Sequence, residues 1–118
     1  MGRKQDLGIK GESYVAKYLA SNGYEILDCN WRIREGEIDL IAKSPDGRIT
    51  FVEVKTRSSE HFGHPLESIT KEKAHRLQKL ALAWLVMNNK FGEDFKIDCA
   101  SVILKNGKFE IDYRSDVL

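Results

Sequence analysis

Two stretches, Glu37–Ser44 (EIDLIAKS) and Arg48–Arg57 (RITFVEVKTR), decide the fold of this chain. Each alternates apolar and polar residues with the period of a half-buried strand, and Pro45-Asp46-Gly47 between them supplies turn chemistry, so the pair reads as an antiparallel hairpin. Residues opposite one another in a hairpin carry numbers whose sum is constant and set by the turn. A three-residue loop closed by Ser44 and Arg48 makes that sum 92. One face then pairs Ile38 with Val54, Leu40 with Val52 and Ala42 with Thr50, and is almost wholly apolar. The other pairs Lys43 with Ile49, Ile41 with Phe51, Asp39 with Glu53 and Glu37 with Lys55. A two-residue loop would set Asp39 against Val54 and mix charge into both faces, so the sum of 92 is preferred.

In that register the β-carbons of Asp39 and Glu53 stand roughly 5 Å apart. Two unit charges at that distance cost on the order of 3 kcal/mol at an effective dielectric near 20, a large share of a small domain's stability. Ile41, Ile49 and Phe51 lie on the same face and are expected under a helix, which leaves the two acids at the margin of a buried surface. A hard divalent cation such as Mg²⁺ relieves the repulsion, because it takes oxygen ligands and is commonly held by one or two carboxylates with waters and a substrate phosphate. Lys55 follows Glu53 by two residues on that face. Two acids beside a lysine form a hydrolytic layout, in which the metal lowers the pKa of a bound water and the ammonium orients it or balances phosphate charge. The plainer alternative is a solvated strand face on which Glu37 salt-bridges Lys55 and both acids are hydrated.

Outward from the hairpin, Asp6 to Ser21 has helical spacing in Leu7, Tyr14, Val15, Tyr18 and Leu19 and stops at Asn22-Gly23. Tyr24 to Asp28 with Trp31 to Arg34 reads as an edge strand ending at Glu35-Gly36. Ser58 to Ser68, with His61, Gly63, His64 and Pro65, has no period and is expected to be an exposed loop. Ile69 to Asn88 is a second helix, with Ala74, Leu77, Leu80, Ala81, Trp84 and Leu85 on one face. Lys96 to Leu104 and Lys108 to Tyr113 form a last hairpin around Asn106-Gly107. The order is α-β-β-β-α-β-β, an α/β domain in which helices flank a mixed five-stranded sheet.

The whole chain, 1–118, is the size of one domain, with 42% hydrophobic and 31% charged residues and a net charge of +1. That balance excludes a uniformly basic nucleic-acid coat, so any charge-driven function is local. No apolar run approaches the roughly 18 residues that span a bilayer, and MGRKQDLGIK lacks a secretory signal's apolar centre; a soluble cytoplasmic domain without membrane contact is expected. Cys29 and Cys99, without CxxC spacing, are expected to be core thiols. Trp84 falls in the apolar stripe of the second helix, whereas Trp31 is open between core and base stacking. Lys71, Lys73, Arg76 and Lys79 outnumber the single Glu72 in the first half of that helix, where the helix N-terminus also favours phosphate. Arg57 is a further phosphate candidate beside Lys55. His61 and His64, three apart with no Cys or Asp partner, read as loop histidines whose role stays open.

Asp39 followed after thirteen residues by Glu53-Val54-Lys55 resembles the signature of the PD-(D/E)XK nuclease superfamily, with Ile38 where the first proline would stand. Gly11-Glu12, Asn30-Trp31-Arg32, GEIDLIA from Gly36 to Ala42 and FVEVKTR from Phe51 to Arg57 together resemble the YraN family of small bacterial proteins, itself similar to archaeal Holliday-junction resolvases. The resemblance implies a restriction-endonuclease-like core and an endonuclease site that hydrolyses DNA phosphodiester bonds with Mg²⁺, or Mn²⁺ in its place, at branched or junction structures. It implies Asp39 and Glu53 as metal-binding acids, the Val54 main-chain carbonyl as a further ligand, Lys55 as catalytic lysine and Glu12 as the helix-one acid. Glu12 stands three residues before Val15 and seven before Leu19, bordering the inward face, which is compatible with that role. Arg57, Lys71, Lys73 and Arg76 are the expected contacts to nucleic acid, DNA in particular. The other readings are a non-catalytic nucleic-acid-binding module and a protein-interaction domain. A homodimer is attractive for a near-neutral chain on a branched substrate.

Overall fold

The computed structural model describes residues 3–58 and 70–118. In chain order it comprises α1 (Arg3–Ser21), β1 (Glu25–Ile33), β2 (Gly36–Lys43), β3 (Ile49–Ser58), α2 (Lys71–Met87), β4 (Phe95–Lys105) and β5 (Lys108–Arg114). The five strands form one sheet in the order β1-β2-β3-β4-β5. Only β3 and β4 are parallel, and α2 is the crossover that connects them. The mixed sheet and the element order are those expected. The expected loop at 58–68 lies outside the described residues apart from Ser58, which ends β3. No helix among the described residues is long and apolar enough to cross a membrane.

The helices cover opposite faces. Val15 and Leu19 of α1 pack on Leu40, Ala42, Val52, Ala100 and Val102. Leu77, Leu80, Ala81, Trp84 and Leu85 of α2 pack on Ile41, Ile49, Phe51 and Ile97. Phe51 lies edge-on to Trp84 and to Phe95, with ring centroids 5.7 and 5.8 Å away, so Trp84 is a core residue. Trp31 is half-buried against the same cluster. Cys99 is buried, but Cys29 is exposed and corrects its assignment to the core, since β1 is an edge strand with one open side.

Local chemistry fixes the ends of the elements. Gly23, with φ of 86°, closes α1 by donating to Ala20 O while Tyr24 N donates to Leu19 O, the paired bonds of a Schellman cap. Thr70 caps α2 by accepting from Lys73 N at 3.1 Å. Gly11 lets α1 approach β3, because a β-carbon there would fall 2.0 Å from Thr56 Oγ1. That close crossing places the next residue, Glu12, beside the sheet.

The turn is closed by Ser44 N donating to Arg48 O at 2.9 Å and Gly47 N to Ser44 O at 2.8 Å. Its three-residue loop sets the expected register: Leu40 pairs with Val52, Ile41 with Phe51, Ala42 with Thr50 and Lys43 with Ile49. The expected continuation to Asp39–Glu53, Ile38–Val54 and Glu37–Lys55 does not form. Past Leu40, β2 stays with β1 as far as Ile33–Gly36, while β3 stays with β4 as far as Ser58–Leu104, and the sheet forks between them. Ile38 accordingly joins the α2 cluster rather than lying beside Leu40. Accumulated strand twist is the physical reason: each strand keeps the neighbour with which its pairing is longer.

Candidate active site

Asp39 stands at the fork. It appears in neither the β1–β2 nor the β2–β3 register, although its neighbours Ile38 and Leu40 pair with Trp31 and Cys29. Its Oδ2 instead accepts the main-chain N–H of Val54 at 2.8 Å, a side-chain bond in place of a ladder bond. Burial pushes its carboxyl up to about 7. The Val54 N–H opposes that rise, and the charges of Glu53, Glu12 and Glu37 add to it. The repulsion expected of an opposed pair is therefore present, shared among four acids and reinforced by desolvation.

The other acids arrive from three elements. Glu53 follows Phe51 by two residues along β3 and meets Lys73 of α2, with Nζ 3.8 Å from Oε1 and the two side chains only 19% and 16% exposed. Glu12 comes from α1, its carboxyl raised first by burial and then by Glu37 and Glu53, while a hydrogen bond with Asn30 and the charge of Arg32 pull the other way. Glu37 pairs across β1–β2 with Arg32 at 2.9 Å, not with Lys55 as the plainer reading had it. Lys55 is held below the usual ammonium range by burial, by the charge and contact of Lys73 and by Arg57, against the pull of Glu53.

Fitness for a cation follows from this donor set. The carboxylate oxygens are the donors Mg²⁺ or Mn²⁺ takes, and an excess of mutually repelling acids surrounds Asp39. Among the described residues, however, no three His, Cys, Asp or Glu side chains are gathered closely enough to hold an ion. Asp39 and Glu53 thus suit a hard cation by chemistry and charge, without forming a closed cage among the described residues.

The expected phosphate contacts divide. Arg57 is half-buried on β3, and Lys71 and Arg76 are exposed on α2. Arg76 also lines an open cleft of about 470 Å³ with Ile33, Glu35, His75, Lys79 and Leu80. Lys73 is not a free surface cation, since it turns in to Glu53. Two participants were absent from the sequence reading of the site: Lys73 as the ion partner of Glu53, and Asn30 as the hydrogen-bond partner of Glu12. Helix phase alone could have brought Lys73 toward the sheet, since it lies four residues before the buried Leu77; Asn30 stands in the Asn30-Trp31-Arg32 motif, but no apolar period in β1 ties it to Glu12.

The chain is thus one α/β domain whose mixed sheet forks beside a cluster of acids and lysines. It belongs to the uncharacterised protein family UPF0102, the YraN family that its motifs resemble, whose model matches residues 11–117. It is 47% identical over 104 residues to a UPF0102 protein of Leifsonia xyli subsp. xyli, covering 87% of this chain and 86% of that one. A UPF0102 protein of Syntrophomonas wolfei is 39% identical over 109 residues, covering 92% and 94%. Among solved structures, the chain is similar to a repair endonuclease from Pyrococcus abyssi, with a TM-score of 0.41 and 15% identity over 81% of this chain and 39% of that one. It is also similar to Pyrococcus furiosus SfsA, solved in complex with Ca²⁺, with a TM-score of 0.41 and 16% identity over 96% of this chain and 63% of that one. The chain spans less than two thirds of either structure.

Proposed function

We propose that this protein is a metal-dependent endonuclease that hydrolyses DNA phosphodiester bonds, with branched or junction DNA as the favoured substrate. One observation carries the reading: Asp39, released from both ladders at the fork, holds a carboxyl at about 7 among Glu53, Glu12 and Glu37, with Lys55 and Lys73 at hand. A purely structural surface has no use for so much repulsion in a buried place.

Asp39, Glu53 and the Val54 carbonyl would hold Mg²⁺ or Mn²⁺, which when bound polarises phosphoryl oxygen and lowers the pKa of water. The chain's own residues do the rest. The Val54 N–H fixes the Asp39 carboxylate in place, so the acid need not reorganise when substrate arrives. Lys55 orients the attacking water and balances charge on the phosphate as the new P–O bond forms and the leaving oxygen departs. Held below the usual ammonium range, Lys55 gives up a proton more readily to the departing oxygen and is restored by the proton that the attacking water loses. Glu12 stands on the α1 side as the third acid, and Arg57, Lys71 and Arg76 hold backbone phosphates on either side of the scissile one.

Incubation of the protein with a panel of linear and branched DNAs in Mg²⁺ or Mn²⁺, against Asp39→Asn, tests the reading. Cleavage by the parent alone supports it, and equal cleavage by both removes Asp39 from the mechanism. A second reading has its own observation: because no three acids are gathered into a ligand cluster among the described residues, the domain would bind DNA without cutting it. Retained binding with no turnover in either cation is its signature.

A further inference from the structure

Asn30 has a φ of 50° in the interior of β1, a left-handed conformation inside a strand. Its neighbours Cys29 and Trp31 pair normally with Leu40 and Ile38, and the pair that would fall between them, Asn30 with Asp39, is missing from the ladder. An L-residue gives up stability in this region, asparagine less than most, and such outliers persist where surrounding structure or function holds them. Trp31 and Ile33 pack toward α2. Strand alternation breaks at Asn30, since Leu40, the partner of Cys29, packs in the α1 cluster whereas Ile38, the partner of Trp31, packs in the α2 cluster, and Asn30 meets Glu12 of α1 as a hydrogen-bonding neighbour. One residue thus opens the ladder at Asp39 and contacts the acid that α1 brings to the same place.

We propose that Asn30 is a positioning residue of the site, its side-chain amide donating to the Glu12 carboxylate and fixing where that acid stands relative to Asp39 and Glu53. The proposal rests on the reading that Glu12 belongs to the site. The amide is the useful group because Glu12 is otherwise faced by the acids Glu37 and Glu53, with the charge of Arg32 opposing them. A neutral donor steadies a carboxylate without neutralising it, so the acid stays available to a cation.

Asn30→Gly is the informative variant, because glycine takes positive φ without cost and removes only the amide. Its melting temperature without divalent cation is expected to equal or exceed the parent's. The Mn²⁺ concentration giving half the maximal thermal stabilisation should rise about tenfold, and cleavage should fall by about as much. If Asn30→Gly keeps the parent's Mn²⁺ midpoint, the amide has no role and the proposal falls. A double-mutant cycle of Asn30→Gly with Glu12→Ala, in urea without cation, reads the contact itself. Coupling between the two supports the proposal even if the parent ignores Mn²⁺ and cuts nothing, an outcome that would remove the endonuclease reading alone. Zero coupling overturns the proposal whatever the protein does to DNA.

Discussion

The Asp39 carboxylate accepts the Val54 N–H at 2.8 Å, two residues beyond Val52, the last residue of β3 paired with β2. A side chain thus bridges the fork where the backbone ladder has let go, and the acid is fixed by the strand that carries Glu53 and Lys55. The bond helps Asp39 to ionise, yet burial and three neighbouring acids outweigh it. In the cation-free protein Asp39 is therefore a source of instability whenever it is charged.

The sign of the pH effect follows. The folded carboxyl titrates at about 7 against 3.8 for the ordinary group, so the folded state holds the extra proton between those values. Stability from this group is greatest below about 4, falls as pH rises through about 7 and is lowest above it. Asp39→Asn should therefore melt higher than the parent at pH 8 without divalent cation, by about 1–2 kcal/mol after discounting for partial exposure, and equal it near pH 4. Thermal melts of both proteins across pH 4–9 check this. A variant less stable than the parent at pH 8 would show that Asp39 is not under repulsion.

Added Mg²⁺ or Mn²⁺ should reverse that penalty in the parent. Because the cation and the proton compete for the same carboxylate, the midpoint of stabilisation should fall by up to about tenfold per pH unit below the carboxyl's titration and level off above it. Asp39→Asn should lose most of the response. Melting curves over a cation series at pH 6 and pH 8 supply the measurement, and a midpoint independent of pH would dissociate Asp39 from the ion.

Lys73 supplies a second handle, because it stands 3.8 Å from Glu53 where the ion is expected. Lys73→Met should destabilise the cation-free protein by about 1 kcal/mol, the scale of a largely buried pair whose acid keeps other neighbours. It should also lower the cation midpoint several-fold by removing a competing positive charge. Lys55 would recover part of its basicity, since Lys73 follows burial among the causes that depress it.

Gly11 links the packing of α1 to the site. In Gly11→Ala the new β-carbon would meet Thr56 Oγ1 at 2.0 Å, Cγ2 at 2.8 Å and Cβ at 2.9 Å, and threonine's branched side chain has little room to turn. The helix must move off β3, at a cost of about 1–3 kcal/mol, and carry Glu12 with it. Thr56→Ala should restore part of the loss, so urea melts of the two single variants and the double should be non-additive.

What the sequence disclosed and what it hid have separate physical causes. Alternation in EIDLIAKS and RITFVEVKTR, with Pro45-Asp46-Gly47 between them, specifies the register wherever both strands have a covered face, and the four pairs from Leu40–Val52 to Lys43–Ile49 obey it. The fork lay beyond that logic. It comes from competition among neighbours in the sheet: β1 holds one arm, β4 holds the other, and neither pairing is encoded in the hairpin itself. Asp39 and Glu53 were singled out by their spacing and by an expected pairing that does not form, and the Val54 bond that orients Asp39 needs the fork. Lys73 was visible as a positive charge and invisible as a partner of Glu53, because α2 reaches the sheet only through tertiary packing. Asn30 was legible only as a member of the Asn30-Trp31-Arg32 motif, since a left-handed residue inside a strand leaves no mark on hydrophobic period.

Asp98 is the other residue whose importance depends on the folded chain, and it yields the last test. Fully buried in β4, it accepts from Lys96 Nζ at 3.2 Å, Ser115 Oγ at 3.3 Å, Asp116 N at 2.8 Å and the Tyr113 hydroxyl. Lys96 in turn meets the hydroxyls of Tyr24 and Ser115 at 3.0 and 2.6 Å. Burial alone would lower the Lys96 ammonium, but the Tyr24 bond and the charge of Asp98 raise it, and burial with the Asp98 bond pushes the Tyr113 phenol far up. Both partners of this ion pair are almost wholly removed from water, so deleting one leaves an uncompensated charge. Lys96→Met is expected to lose about 3–5 kcal/mol, and the double variant with Asp98→Leu less than the sum of the two single losses. Asp98→Leu should also speed hydrogen exchange at the Asp116 amide, which loses its acceptor, while cation response per folded molecule at Asp39 stays as in the parent. Additive losses in urea melts would show that the pair is not coupled, and an unchanged Asp116 exchange rate would show that Asp98 does not tether the C-terminal segment.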